Sequence, residues 1–133
     1  MACLALLLGL PASAQSHRAA QAGDRAYSRR DYREAEQQYR AAQPGAPAAY
    51  NAGNSAYQQG KYADAATCYQ QAAVAGSTAE LRADALYTLG NACLKQQKWA
   101  EAIAAYEKSL RQQPNRADAK KNLQIARRKQ QEQ

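Results

Sequence analysis

Chemistry needs reactive side chains gathered at set spacings, and this sequence offers few of them. It holds a single histidine, His17, so no His-based dyad, triad or metal cluster can be assembled. Its carboxylates stand singly, and its seven glycines fall in the N-terminal run, at turns and inside helical patterns, with no phosphate-cradling loop. Of the three cysteines, Cys3 belongs to the N-terminal apolar run, while Cys68 and Cys93 read as small buried apolar residues. No enzyme activity, cofactor or metal is expected. What remains is recognition chemistry. Asn54 and Asn91 each follow a glycine directly and can donate and accept a hydrogen bond at once. Tyr50, Tyr57 and Tyr87 offer amphipathic contact area at low entropic cost.

The elements that must position these residues are clearest from Ala85 to Pro114. Two apolar stripes of helical period flank a polar break at Lys95–Lys98: Leu86, Leu89, Gly90 and Cys93, then Trp99, Ala102, Ile103, Tyr106 and Leu110. A link this short folds the two helices back as an antiparallel hairpin. Two further copies precede it. The steps that lead from Gly90 to Trp99, Ala102 and Tyr106 lead from Gly53 to Tyr62, Ala65 and Tyr69, and from Gly23 to Tyr32, Ala35 and Tyr39. An acidic residue precedes each alanine: Glu34, Asp64 and Glu101. Agreement at this many positions makes an internal repeat. Tyr32, Tyr62 and Trp99 are expected to wedge against the first helix of their own hairpin, and Tyr39, Tyr69 and Tyr106 to point towards the next repeat.

With these residues in place the chain resembles the tetratricopeptide repeat, whose signature runs Trp-x2-Leu-Gly-x2-Tyr, then Ala-x3-Phe, then Pro. The third copy supplies Leu86, Leu89, Gly90, Cys93, Ala102, Tyr106 and Pro114; the earlier copies use Ala and Tyr at most of these places. The resemblance implies a right-handed, all-α solenoid of three hairpins (about residues 16–45, 46–76 and 77–115), closed by a capping helix in residues 116–133. It also implies a concave groove lined by the first helices, holding a peptide or helix of a partner protein. In the family's register the groove residues are Ala20, Asp24 and Tyr27; Tyr50, Asn51, Asn54 and Tyr57; Tyr87, Asn91, Leu94 and Lys95; and Lys121 and Asn122. Asn54 and Asn91 match the position that often holds a bound peptide's backbone. The dicarboxylate clamp of chaperone-binding repeats is not expected: its positions read Ala20, Asp24, Asp84 and Thr88, and only Asn51 fits.

Met1–Ala14 differs in kind. Ala2 to Leu10 is apolar, Pro11 breaks the run, and Ala12-Ser13-Ala14 fits a secretory cleavage pattern with Gln15 as the mature start. No Lys or Arg precedes the run, so a start further upstream or a buried N-terminal helix are the alternatives. At the other end, Asn115 is expected to cap a helix from about Arg116 to Lys129, with Ala119, Leu123 and Ala126 on its apolar side. That end is basic, as is the whole chain at net +7. Leader, three repeats, wider second spacing and basic last helix together are similar to the small repeat proteins of the aerotolerance-related (Bat) family. That likeness implies a periplasmic or membrane-associated assembly and a membrane partner with a von Willebrand factor A domain. Neither nucleic acid nor a small-molecule substrate is expected. Two alternatives stay open: end-to-end self-association through a flat apolar face at Ala19, Ala22 and Ala26, and binding of an anionic membrane by Arg127-Arg128-Lys129. A disulfide between Cys68 and Cys93 is also left open.

Overall fold

A computed structural model of the chain describes residues 9–133. Seven α-helices follow in order: α1 (Ala12–Ser28), α2 (Tyr32–Ala41), α3 (Ala46–Gln58), α4 (Tyr62–Ala75), α5 (Ala79–Lys95), α6 (Trp99–Gln112) and α7 (Ala117–Gln131). Each packs on the next in sequence, so the chain is a stack of three hairpins with α7 laid on α6. Among the described residues there is no strand, and the expected all-α solenoid is what forms. The apolar run of the expected leader lies mostly in residues 1–8, outside the described residues, while Ala12-Ser13-Ala14 make the first turn of α1.

The hairpins turn in one way. Arg30, Gly60 and Gln97 each adopt the left-handed region, at φ 63°, 76° and 59°. The next N–H, of Asp31, Lys61 or Lys98, then reaches back to the carbonyl of Ala26, Ala56 or Cys93 at 2.9, 3.0 and 3.0 Å. This closure satisfies carbonyls that a helix end leaves free. Between hairpins the links differ. Pro44 follows the end of α2, which has 10 residues against 14 in α4 and α6, and this shortens the first repeat. The wider second spacing goes into α5, which at 17 residues exceeds α3 by four but equals α1. Thr78 caps α5, accepting from Leu81 N at 3.1 Å. Arg116 rather than Asn115 holds the N-cap of α7, where no side chain caps the backbone.

Packing repeats as strictly as the turns. A Cβ placed on Gly23, Gly53 or Gly90 would stand 2.6, 2.7 or 2.4 Å from the ring of Tyr39, Tyr69 or Tyr106. Only glycine lets each ring lie flat on the first helix of its own hairpin. The same rings also reach onward. Tyr39 packs with Ala52 and Cys68, Tyr69 with Ala92, and Tyr106 with Leu123 and Ala126. The expected direction towards the next repeat is thus half of their role. Cys68 and Cys93 are buried free thiols in separate clusters, and burial raises the pKa of both.

A buried carboxylate ties the first two hairpins together. Glu36 accepts from Arg40 on its own helix, at 2.9 Å, and from Lys61 and Gln59 of the second hairpin, at 2.8 and 3.0 Å. Burial by itself raises its pKa, but these donors outweigh burial and hold the group below its ordinary value. The open end of the stack departs from the expected apolar face. Ala26 is fully buried beneath Tyr39, Ala19 and Ala22 are half-buried, and the exposed edge of α1 carries Arg18 and Arg25, with Arg29 at its C-cap. The exposed side of α7 carries Lys120, Lys121 and Arg128. End-to-end stacking would therefore set like charge against like.

Candidate functional site

The first helices share one side of the stack: α1 and α3 border one cavity, α3 and α5 another, and α5 is hydrogen-bonded to α7. Along the middle of this side run the residues that follow the repeat glycines. Asp24, Asn54 and Asn91 each accept, through Oδ1, the hydroxyl of the tyrosine lying on the glycine: Tyr39 at 2.7 Å, Tyr69 at 2.8 Å and Tyr106 at 2.6 Å. Burial pushes all three phenols well above their ordinary range, and the Asp24 carboxylate adds to this at Tyr39. Asn54 and Asn91, expected to grip a partner's backbone, thus commit an oxygen to the fold itself. Asn91 Oδ1 takes a second bond from Asn122 Nδ2 at 3.0 Å, and that amide also donates to Tyr87 Oη at 3.2 Å. Tyr87, Asn91 and Asn122 are therefore brought together as one network holding α7 to α5.

At the turn end, the predicted residues close hairpins. Tyr27 stands edge-on to Tyr32 at 5.1 Å and Tyr57 to Tyr62 at 5.0 Å, as the wedge reading requires. The Lys95 ammonium sits over the Tyr62 ring, 5.9 Å from its centre, and Leu94 packs into the cluster around Cys93 and Tyr106. Lys121 is exposed on α7 and touches none of the other predicted groove residues by hydrogen bond or ion pair.

The opposite end is open, and Tyr50 and Asn51 of α3 lie there. α3 contains no charged residue. A cavity of about 210 Å³ between α3 and α5 is walled by Ala46, Pro47, Tyr50, Ala72 and Leu81, with Asn51 and Asp84 at its rim. A second of about 410 Å³, between α1 and α3, is bordered by His17, Ala20, Asp24, Pro47 and Asn51. Asn51 and Pro47 belong to both, so the two form one trough. Burial first, then the Asp84 carboxylate, raises the pKa of Tyr50. Asp84 is paired with Arg116, which also bonds Asp118 and stacks on the Tyr87 ring at 5.0 Å. Burial opposes the Arg116 charge, but the two carboxylates outweigh it and raise its pKa. The sequence reading missed Leu81, which falls outside the apolar stripe of α5, and the Arg116 clasp, which no local pattern marks. A cleft of about 450 Å³ on the other side, between α4 and α6, is rimmed by Lys98, Glu101 and Lys108. Its mixed charges and its place away from the first helices make it the lesser candidate.

A sequence model of the tetratricopeptide repeat matches residues 50–117. The chain belongs to the tetratricopeptide repeat family. No curated protein sequence matches it. Solved tetratricopeptide structures share its fold. The N-terminal domain of stress-induced protein-1 from C. elegans superposes with a TM-score of 0.80, 21% identity, and coverage of 88% of this chain and 98% of that one. The TPR2AB domain of yeast Sti1, in complex with HSP90, gives 0.78 at 21% identity over 90% of this chain and 48% of that one. The second such domain of the human RPAP3 protein, in complex with an HSP70 peptide, gives 0.73 at 21% identity over 84% and 98%. In this tetratricopeptide chain the clamp positions remain as the sequence gives them, with Asp24, Asp84 and Thr88 on the groove side.

Proposed function

We propose that this tetratricopeptide protein is an interaction module that holds a peptide or helix of a partner protein in the trough across α1, α3 and α5. The observation that carries it is the uncharged helix α3, which presents Tyr50 and Asn51 beside an apolar cavity on the side lined by the first helices. Two of the neighbouring structures hold HSP90 or HSP70 segments, and tetratricopeptide domains are generally scaffolds rather than catalysts. The test is a pull-down with Tyr50→Ala/Asn51→Arg in the full chain. If that protein retains its partners at full yield, the trough is not the site. Asn54→Ala with Asn91→Ala is the poorer probe, because it strips the acceptors from Tyr69 and Tyr106.

The setting belongs to the same proposal. Export to the periplasm or a membrane-associated assembly is supported by the apolar residues 2–10 and the Ala12-Ser13-Ala14 pattern. A von Willebrand factor A domain partner, as in the aerotolerance-related family, is supported by repeat spacing and the basic last helix. No helix of the described residues is long and apolar enough to cross a membrane. Mass spectrometry of the protein recovered from a bacterial host checks the first point. A mature chain beginning at Gln15 supports export, and an intact N-terminus in the cytoplasmic fraction refutes it.

A further inference from the structure

We infer that the segment bound in this trough carries an aliphatic side chain with a lysine or arginine a few residues from it. The inference rests on the trough being the binding site and adds the chemistry of its occupant. The cavity between α3 and α5 is floored by Ala46 and Ala72, whose small side chains leave about 210 Å³ open. Its lip is Leu81, at 38% one of two large apolar side chains exposed among the described residues. Filling it with an apolar side chain would cover Leu81 and the Tyr50 ring without stranding a charge, because α3 carries none and Asp84 of α5 is paired with Arg116.

Charge fixes what lies next to that anchor. Across Asn51 stands Asp24, exposed, with Oδ1 taken by Tyr39 and no cationic partner among the described residues. On the near rim Asp84 is matched by Arg116, which is also committed to Asp118. The trough thus offers an unbalanced carboxylate and no free guanidinium or ammonium, its one further basic side chain being the His17 imidazole, within hydrogen-bond distance of Gln21, although the chain as a whole is +7. An acidic segment would meet Asp24 with nothing to pair with, whereas a basic one would pair. Asn51 and Pro47 line both cavities, and Asp24 lines only the one bordered by α1, so a segment seated beside Leu81 passes Asn51 and then reaches Asp24.

Two fluorescein-labelled, N-acetylated, C-amidated heptapeptides test this against the full chain by anisotropy. Both have a central leucine, one flanked by lysines and the other by glutamates. The lysine peptide should bind at least about five-fold tighter, and changing its leucine to alanine should weaken it about ten-fold. Asp24→Asn keeps an acceptor for Tyr39, as Asn54 and Asn91 do in the other repeats, and removes only charge. It should weaken the lysine peptide about two- to five-fold, the size of an exposed ion pair, and leave the glutamate peptide no weaker. Equal or tighter binding of the glutamate peptide, or no binding of either, overturns the inference. If both bind equally and Tyr50→Ala/Asn51→Arg abolishes both, the trough reading survives the loss of the inference. Binding that persists in that double variant sinks the trough reading itself.

Discussion

Gly90→Ala isolates the contact on which each repeat depends. In an exposed helix interior the change gains about 1 kcal/mol, because alanine loses less backbone entropy than glycine. At Gly90 the new Cβ would stand 2.4 Å from Tyr106 Cε1 and 2.7 Å from both Cδ1 and Cζ. Carbons rest at about 3.5–4.0 Å, so the ring would have to withdraw by about 1 Å. It has nowhere to go. Tyr106 is fully buried, backed by Leu123 and Ala126, and its hydroxyl is fixed to Asn91 at 2.6 Å. Overpacking of this kind costs about 1–3 kcal/mol, and a displaced buried hydroxyl adds about 1–3 kcal/mol. Set against the helix gain, a net loss of about 1–5 kcal/mol follows, or about 4–20 °C in Tm at roughly 4 °C per kcal/mol. Urea denaturation followed by circular dichroism measures it, with Gly23→Ala (2.6 Å from Tyr39) as a milder companion. A Gly90→Ala protein as stable as the parent, or more so, refutes the reasoning.

Other outcomes follow from the same structure. Arg30→Gly and Gln97→Gly should each stabilise by about 0.5–1 kcal/mol, since both parents sit at positive φ, and Gly60→Ala should destabilise by about 1 kcal/mol; thermal melts decide. Tyr69→Phe should cost more than Tyr106→Phe within a range of about 0.5–1.5 kcal/mol, because Asn91 keeps the Asn122 bond while Asn54 Oδ1 loses the hydroxyl that donates to it. Equal losses in urea would count against the network. Glu36 is held below its ordinary pKa, so its contribution is present above the unfolded carboxylate value of about 4.3 and is lost as pH falls through the lower folded value. Stability in acid should fall less steeply for Glu36→Gln, which should cost about 1–2 kcal/mol at neutral pH; parallel pH curves for the two proteins would contradict this.

The repeat was legible because it is written in residue types that steric fit dictates. Gly23, Gly53 and Gly90, each sixteen residues before Tyr39, Tyr69 and Tyr106, announce a close approach of two helices that no other pair of types satisfies. The third hairpin's turn was legible from the polar break at Lys95–Lys98 between two apolar stripes. Partnership was harder to read. A hydroxyl and an amide fifteen residues apart carry no sign in sequence that they will bond, so Asn54 and Asn91 looked free for a ligand. The Glu36 and Arg116 clasps join residues 25 and 32 positions apart on different helices, and no helical period connects them. Register was enough to place Tyr50 and Asn51 on the side lined by the first helices. The cavity beside them depends on the small size of Ala46 and Ala72, which sequence shows only as absence of bulk.

The lock between glycine, tyrosine and the following Asp or Asn has a kinetic and an evolutionary consequence. Its hydrogen bonds close over fifteen residues, so every unit completes its own key contact from a short, local piece of chain. Chains rich in such near-neighbour contacts fold fast, and nucleation can begin in any unit and spread. A gene segment encoding one unit therefore brings its own closing device with it. Duplicating the second hairpin adds a ring, its glycine and its acceptor together, and lengthens the side lined by the first helices without inventing a new interface.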